Sequence, residues 1–122
     1  MNAKEIRKQK CFERLGSNHP VCIICGEADW RCLEEHHIAG RAYGDDLAII
    51  CRNCHRKLSD DQKDHPKTIS SKPTQLESLC HLLLGRADLF DQLAKSDREI
   101  ALVLIKAEQE ATNDHEENKH AP

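Results

Sequence analysis

The stretch LEEHHIAGRAYGDDLAIICRNCHRKLSD, residues 33–60, decides how this chain is read. It carries two adjacent histidines, His36 and His37, and a Cys-x-x-Cys-His that begins at Cys51. Upstream lies a second Cys-x-x-Cys, Cys22 and Cys25, followed by Gly26. Each pair can present two thiolates to one ion from a tight turn. Two such pairs supply the four sulfur ligands of a closed structural zinc site. The pairs are separated by 25 residues, somewhat more than the usual ribbon spacing of about 15–20. That length accommodates a strand, a loop and a second strand. A redox dithiol and buried unliganded cysteines are the alternatives, and the presence of two pairs disfavours the first. The three other cysteines, Cys11, Cys32 and Cys80, have no such neighbours in sequence.

The bulk composition agrees with a small domain that needs a staple. The chain has 122 residues, of which 39% are hydrophobic and 3% aromatic, so its core is expected to be thin. Domains of that kind commonly rely on a metal or on oligomerisation. No apolar run approaches the roughly 20 residues that span a bilayer, so no membrane association is expected. The first residues, MNAKEIRKQKCFERLG, contain no apolar signal-like segment. A cytoplasmic, reducing setting is the expectation, in which cysteines serve as ligands rather than disulfides. Net charge is −3, unevenly distributed: residues 1–73 hold 13 basic and 11 acidic residues, and residues 74–122 hold 5 and 10. Local basic clusters at Lys4–Arg14 and at Arg52, Arg56 and Lys57 can meet phosphates even in an acidic protein. Each is equally readable as ordinary solvated surface.

Along the chain, residues 1–20 read as an N-terminal basic helix, with Ile6, Phe12 and Leu15 inward over 3–15 and GSNHP as its break. Residues 21–65 form the cysteine and histidine core, and 66–75 a polar connector. Residues 76–111 read as two helices. The first places Leu76, Leu79, Cys80, Leu83, Ala87 and Phe90 on one inward face, widened by Leu82, Leu89 and Leu93. Gly85 is its weak point or bend. SDRE at 96–99 reads as a capping box that opens the second, with Ile100, Val103, Leu104 and Ala107 inward. Residues 112–122 hold no large apolar side chain and are expected to be a disordered tail.

If four cysteines take a zinc ion, His36, His37 and His55 are left for other work, so two sites are more economical than one. RCLEEHHI reads as a strand, which sends His36 and His37 to opposite faces. His55 falls in the first turns of a helix through NCHRKL, and the ribbon can draw it towards the hairpin. The order EEHHIAGR, DDLAIICRNCHRKLSD resembles the HNH endonucleases and their ββα-metal fold. With both cysteine pairs it is similar to the zinc-ribbon subgroup of bacteria and phages, over about residues 20–65.

The resemblance implies an α+β fold: a treble-cleft-like ββα unit stapled by zinc on Cys22, Cys25, Cys51 and Cys54, with an N-terminal helix and a C-terminal helical pair. It implies a metal-dependent DNA endonuclease that hydrolyses phosphodiester bonds, with His37 as general base. His36, Asp46 and His55 fall on the positions that ligate a catalytic divalent cation, Mg²⁺ or Mn²⁺. Imidazole, with a reference pKa near 6.5, suits proton acceptance at neutral pH. Arg41, Arg56 and Lys57 are candidate phosphate contacts. Asp46 stands where the family has Asn, and Ser59 where many members have a further His. Asp60, Asp61 and His65 are possible substitutes for that ligand, and solvated connector residues otherwise. The expected partners are DNA and a second copy through the C-terminal helices, and the expected outcome is nicking with low sequence specificity. A catalytically silent zinc ribbon that binds nucleic acid or regulates is the alternative.

Overall fold

The N-terminal helix α1 (Ala3–Leu15) is fixed at both ends by local chemistry. Asn2 Oδ1 accepts from the Glu5 backbone N–H at 2.8 Å, and the Glu5 carboxylate accepts from the Asn2 N–H. This reciprocal box satisfies two otherwise orphaned donors. Gly16, at φ 69°, ends the helix in the left-handed conformation that glycine adopts without steric cost. The face turned to the core carries Cys11 and Leu15, whereas Ile6, expected inward, is 40% exposed. The computed structural model describes residues 1–68 and 71–120. Residues 69–70 of the expected connector and 121–122 of the expected tail lie outside the described residues.

A single 3₁₀ turn, Trp30–Cys32, leads into strand β1 (Leu33–His37). Strand β2 (Leu47–Cys51) pairs with it antiparallel, Leu33 opposite Cys51 and His37 opposite Leu47. The ladder extends one step further through Ile38 N–H to the Asp46 carbonyl, 3.0 Å. Helix α2 (Arg52–Gln62) follows β2 without a loop, because Cys51 is both the last strand residue and the helix N-cap. Its far end clips back to the hairpin: Gln62 Nε2 donates to the carbonyls of His37 (3.1 Å) and Ile38 (3.3 Å). Ile50, Leu58 and Leu33 are the most deeply buried aliphatic residues, joined by Leu15, Ile24 and Leu89. The architecture among the described residues is therefore α+β, three helices around a two-stranded antiparallel sheet.

Helix α3 (Gln75–His120) departs most from the sequence reading. It is one continuous helix of 46 residues, not a pair, and it runs on through the expected tail. The cap stands at Thr74, whose Oγ1 accepts from Glu77 N–H while the Glu77 carboxylate accepts from Thr74 N–H. Ser96 lies inside the helix. A capping box starts a helix only if the preceding one stops, and no Gly or Pro lies between Phe90 and Ile100 to stop it. Gly85 is not a bend. A Cβ there would lie 1.7 Å from the Ile38 carbonyl oxygen, so the glycine lets α3 seat directly on the backbone that follows β1.

The docked flank of α3 is also not the expected one. His81, Gly85 and Leu89 are buried and Leu82 and Leu93 half-buried, while Leu76, Leu79, Cys80, Leu83, Ala87 and Phe90 are exposed. Ile100, Val103, Leu104 and Ala107, expected inward on a second helix, are exposed as well. Specific polar contacts choose the docked flank. Tyr43 stacks on His81 with ring centroids 3.6 Å apart, and His65 Nε2 meets Asp88 Oδ2 at 2.6 Å. No helix among the described residues is long and apolar enough to cross a membrane.

Candidate metal centre and histidine face

Four cysteines converge from two turns. Cys22 and Cys25 sit on a knuckle closed by Gly26 N–H to Cys22 C=O and by Cys22 N–H to Glu27 C=O, both 2.9 Å. Gly26 takes φ 79° to make that turn. Ile23 N–H donates to Ile49 C=O, which pins the knuckle to β2. Cys51 and Cys54 come from the start of α2, where Cys54 N–H points at the Cys51 sulfur, 3.5 Å. The four sulfurs all lie within 4.8 Å of one another, and Cys25 and Cys51 are 3.6 Å apart. Tetrahedral zinc with bonds of about 2.3 Å requires sulfurs roughly 3.8 Å apart. The cluster therefore has the ligand type, number and spacing that could hold a metal ion such as zinc.

The sulfurs are electrostatically unequal. Burial pushes the Cys54 thiol well up, and the neighbouring thiols add to this. Burial also raises Cys22, but backbone hydrogen bonds from Cys25, Cys51 and Ile24 outweigh it and bring the thiol down to about 7. Cys22 is thus readier than Cys25 or Cys54 to enter as thiolate. Of the remaining cysteines, Cys80 is exposed on α3 rather than on its expected inward face, and Cys11 is buried on the core-facing side of α1.

The second arrangement lies where β1 meets α2. Strand alternation puts Glu34 and His36 on one face and His37 on the other. His36 is 2% exposed, and its ring meets that of His55 edge-on at 5.4 Å. Burial, then the nearby His55 and His37, lowers the His36 pKa to about 4, so its imidazole is neutral at physiological pH. His55 Nδ1 is 2.6 Å from Glu34 Oε2, and Arg52 Nε approaches the other oxygen of Glu34 at 3.5 Å. A carboxylate on Nδ1 sets the ring orientation and leaves Nε2 as the other nitrogen, available to a ligand. Glu34, Arg52, His55, Arg56 and Ser59 line one open cleft.

The expected site residues are only partly gathered. His36 and His55 are side by side. Asp46 is exposed at the end of the loop before β2, and His37 is half-buried on the opposite strand face. The ligand atoms of His36, Asp46 and His55 do not form a cluster within 4.8 Å. Arg56 lines the His55 cleft, Lys57 is exposed on α2 outside it, and Arg41 lines a different pocket with Tyr43 and His65. His65 is held by Asp88, and Asp60 and Asp61 lie late on α2. Sequence reasoning missed Glu34, although its place two residues before His36 puts it on the same strand face. His81, which carries no motif in the sequence, is buried under Tyr43.

Comparison of the chain with models of protein families, with curated proteins and with solved structures finds no match.

Proposed function

We propose that the chain is a small metal-dependent DNA endonuclease of the HNH type, built on a zinc-held ββα unit. The observation that carries this reading is the meeting of His36, from β1, with His55, from α2, while Glu34 holds the far side of the His55 ring. The strand order also supports it, since β1, β2 and α2 follow one another with the four cysteines at one end. In this reading zinc on Cys22, Cys25, Cys51 and Cys54 is structural, and His36 and His55 would hold a Mg²⁺ or Mn²⁺ ion that Asp46 would have to approach from the end of the loop before β2. That cation would neutralise charge growing on the phosphate and the departing 3′ oxygen.

The chain's own groups supply the remainder. His37, half-buried on the opposite face of β1, would have to turn towards the cleft to take a proton from the attacking water. The water oxygen bonds to phosphorus as the bond to the 3′ oxygen breaks, and that oxygen takes a proton from solvent. The products carry 5′-phosphate and 3′-hydroxyl ends. His36, neutral through burial, is available as a lone-pair donor without losing a proton. Arg56, beside His55 in the cleft, suits a phosphate next to the scissile one. Arg41 and Lys57 are further phosphate contacts, more distant from the cleft. Each site cuts one strand, so a nick is the first product expected.

A second reading has its own observation. Asp46 is exposed and apart from the two paired histidines, as suits a zinc ribbon that binds nucleic acid without cutting it. Supercoiled-plasmid cleavage with Mg²⁺ or Mn²⁺, beside His37→Ala and a chelator control, separates the two. The nuclease reading expects nicking by the parent alone. DNA retention on a gel with no nicking by either protein would favour the binding module.

A further inference from the structure

Helix α3 presents an apolar seam that the other described residues leave largely open. Leu76, Leu79, Leu83, Phe90, Ile100 and Leu104 are each 47–69% exposed. Taken with Arg86, Asp97 and the half-buried Leu93, whose other side packs on the core, they step by three and four and fall on the a and d positions of a seven-residue repeat. A sustained repeat of that period is the mark of a helix that coils against another helix. The seam runs beside the docked flank of His81, Gly85 and Leu89 and then continues along residues 97–117, all exposed. That bare segment is about 32 Å long at 1.5 Å per residue.

Two seam positions are charged, Arg86 and Asp97, both exposed. Arg86 lies over the Phe90 ring at 5.3 Å, so its cation is held on the seam. We propose that α3 pairs with α3 of a second copy of this chain as an antiparallel two-helix coil, in the register that sets Arg86 against the partner's Asp97. One register satisfies both charges and every apolar layer together. It sets Phe90 against the partner's Leu93, Leu83 against the partner's Ile100, and Leu79 against the partner's Leu104. Each layer joins an a position to a d position, as antiparallel coils do. The contact is two-fold symmetric and closes on itself. A parallel, in-register pair would instead stack Arg86 on Arg86 and Asp97 on Asp97, which like-charge repulsion opposes.

Two further features fit this occupant. Cys80, Ala87, Ala94 and Ala101 recur every seven residues along one edge of the seam, and small side chains there let two helices approach closely. The register also lays the bare segment of each copy along the open Leu76–Leu83 flank of the other. Leu102 and Ile105, exposed on the same turns, fall off the seam and take no part.

Sedimentation equilibrium of the full, zinc-loaded chain tests the proposal. The parent is expected at twice its 13.9 kDa mass. R86D alone and D97R alone each face like charges across the seam, and each is expected to raise the dimer dissociation constant roughly tenfold or more. Combining them in one chain is expected to restore dimerisation, and mixing the two single variants is expected to give a mixed dimer. L102S/I105S is expected to leave the dissociation constant within about threefold of the parent, as substitutions outside the contact do. The proposal is overturned by a parent that stays monomeric. A dimer indifferent to either charge reversal, a double swap that does not recover, or a dimer abolished by L102S/I105S would overturn it equally. All substituted positions are exposed, and unchanged far-UV circular dichroism confirms that the fold is kept.

Discussion

Residues 22–62 and residues 97–117 respond to apolar content in opposite ways. In the first, Ile24, Leu33, Ile50 and Leu58 are buried within a unit hardly larger than a hairpin and a helix. In the second, Ile100, Leu102, Val103, Leu104 and Ile105 are at least 47% exposed. Local sequence does not separate them, since both are rich in aliphatic residues. What differs is closure. The first region has a hairpin ladder, four converging thiols and a glutamine clip that bring its apolar faces together. The second has only its own helix, which satisfies the backbone and offers the side chains nothing to pack against. Apolar periodicity specifies that a face wants a partner, and topology decides whether the chain supplies it.

The comparison breaks most readily at the thiols. Verified metal removal, or Cys54→Ser, is expected to unfold the 22–62 unit, since structural zinc sites in small domains contribute around 10 kcal/mol or more to folding. Trp30 packs against that core, so its fluorescence should red-shift, while α3 retains part of its helical signal. An unchanged spectrum after metal removal would show that the hairpin closes without a metal ion.

The next largest effect tests the junction between the regions. Gly85→Ala places a methyl group on the Ile38 carbonyl, and overpacking of this kind costs about 1–3 kcal/mol or more. The docked half of α3 should loosen, lowering the urea midpoint and speeding hydrogen exchange around His81. At the cleft, Glu34→Ala frees the His55 ring. On the proposed nuclease reading His55 is a cation ligand; outer-sphere partners of such ligands commonly matter by about 10–100-fold, so Mg²⁺- or Mn²⁺-dependent nicking should fall by that much with zinc content unchanged. The smallest effect belongs to the bare helix. Leu102→Ser is expected to change stability by less than about 0.5 kcal/mol in chemical denaturation, because nothing is packed on it.

The legible parts of the molecule were those whose spacing carries a geometric constraint. Two Cys-x-x-Cys pairs predict a shared cluster, and the sulfurs do lie together. Alternation in LEEHH predicts a strand, and β1 covers those five residues. The N-terminal helix ends at Leu15 because Gly16 cannot be mistaken for a helix residue in GSNHP. The misreadings arose where one local signal had two outcomes. SDRE has the spacing of a capping box, yet it lies within a helix because nothing before it interrupts the i to i+4 ladder. The most apolar flank of α3 was expected inward. The flank that docks was instead chosen by long-range contacts of His81, Asp88 and Gly85, none of which periodicity reports. Glu34 escaped notice because its partner, His55, is 21 residues away and meets it only once α2 folds over β1.

The proposed function rests on a division of labour in which thiols would hold the fold and histidines would do the chemistry. Zinc content and plasmid nicking, measured on the same preparations of parent and His37→Ala, test it most directly. The account predicts one bound zinc in each protein after exchange of weakly held metal, with Mg²⁺- or Mn²⁺-dependent nicking by the parent alone. A zinc-loaded, folded parent that cuts no DNA would contradict it, as would nicking that survives in His37→Ala.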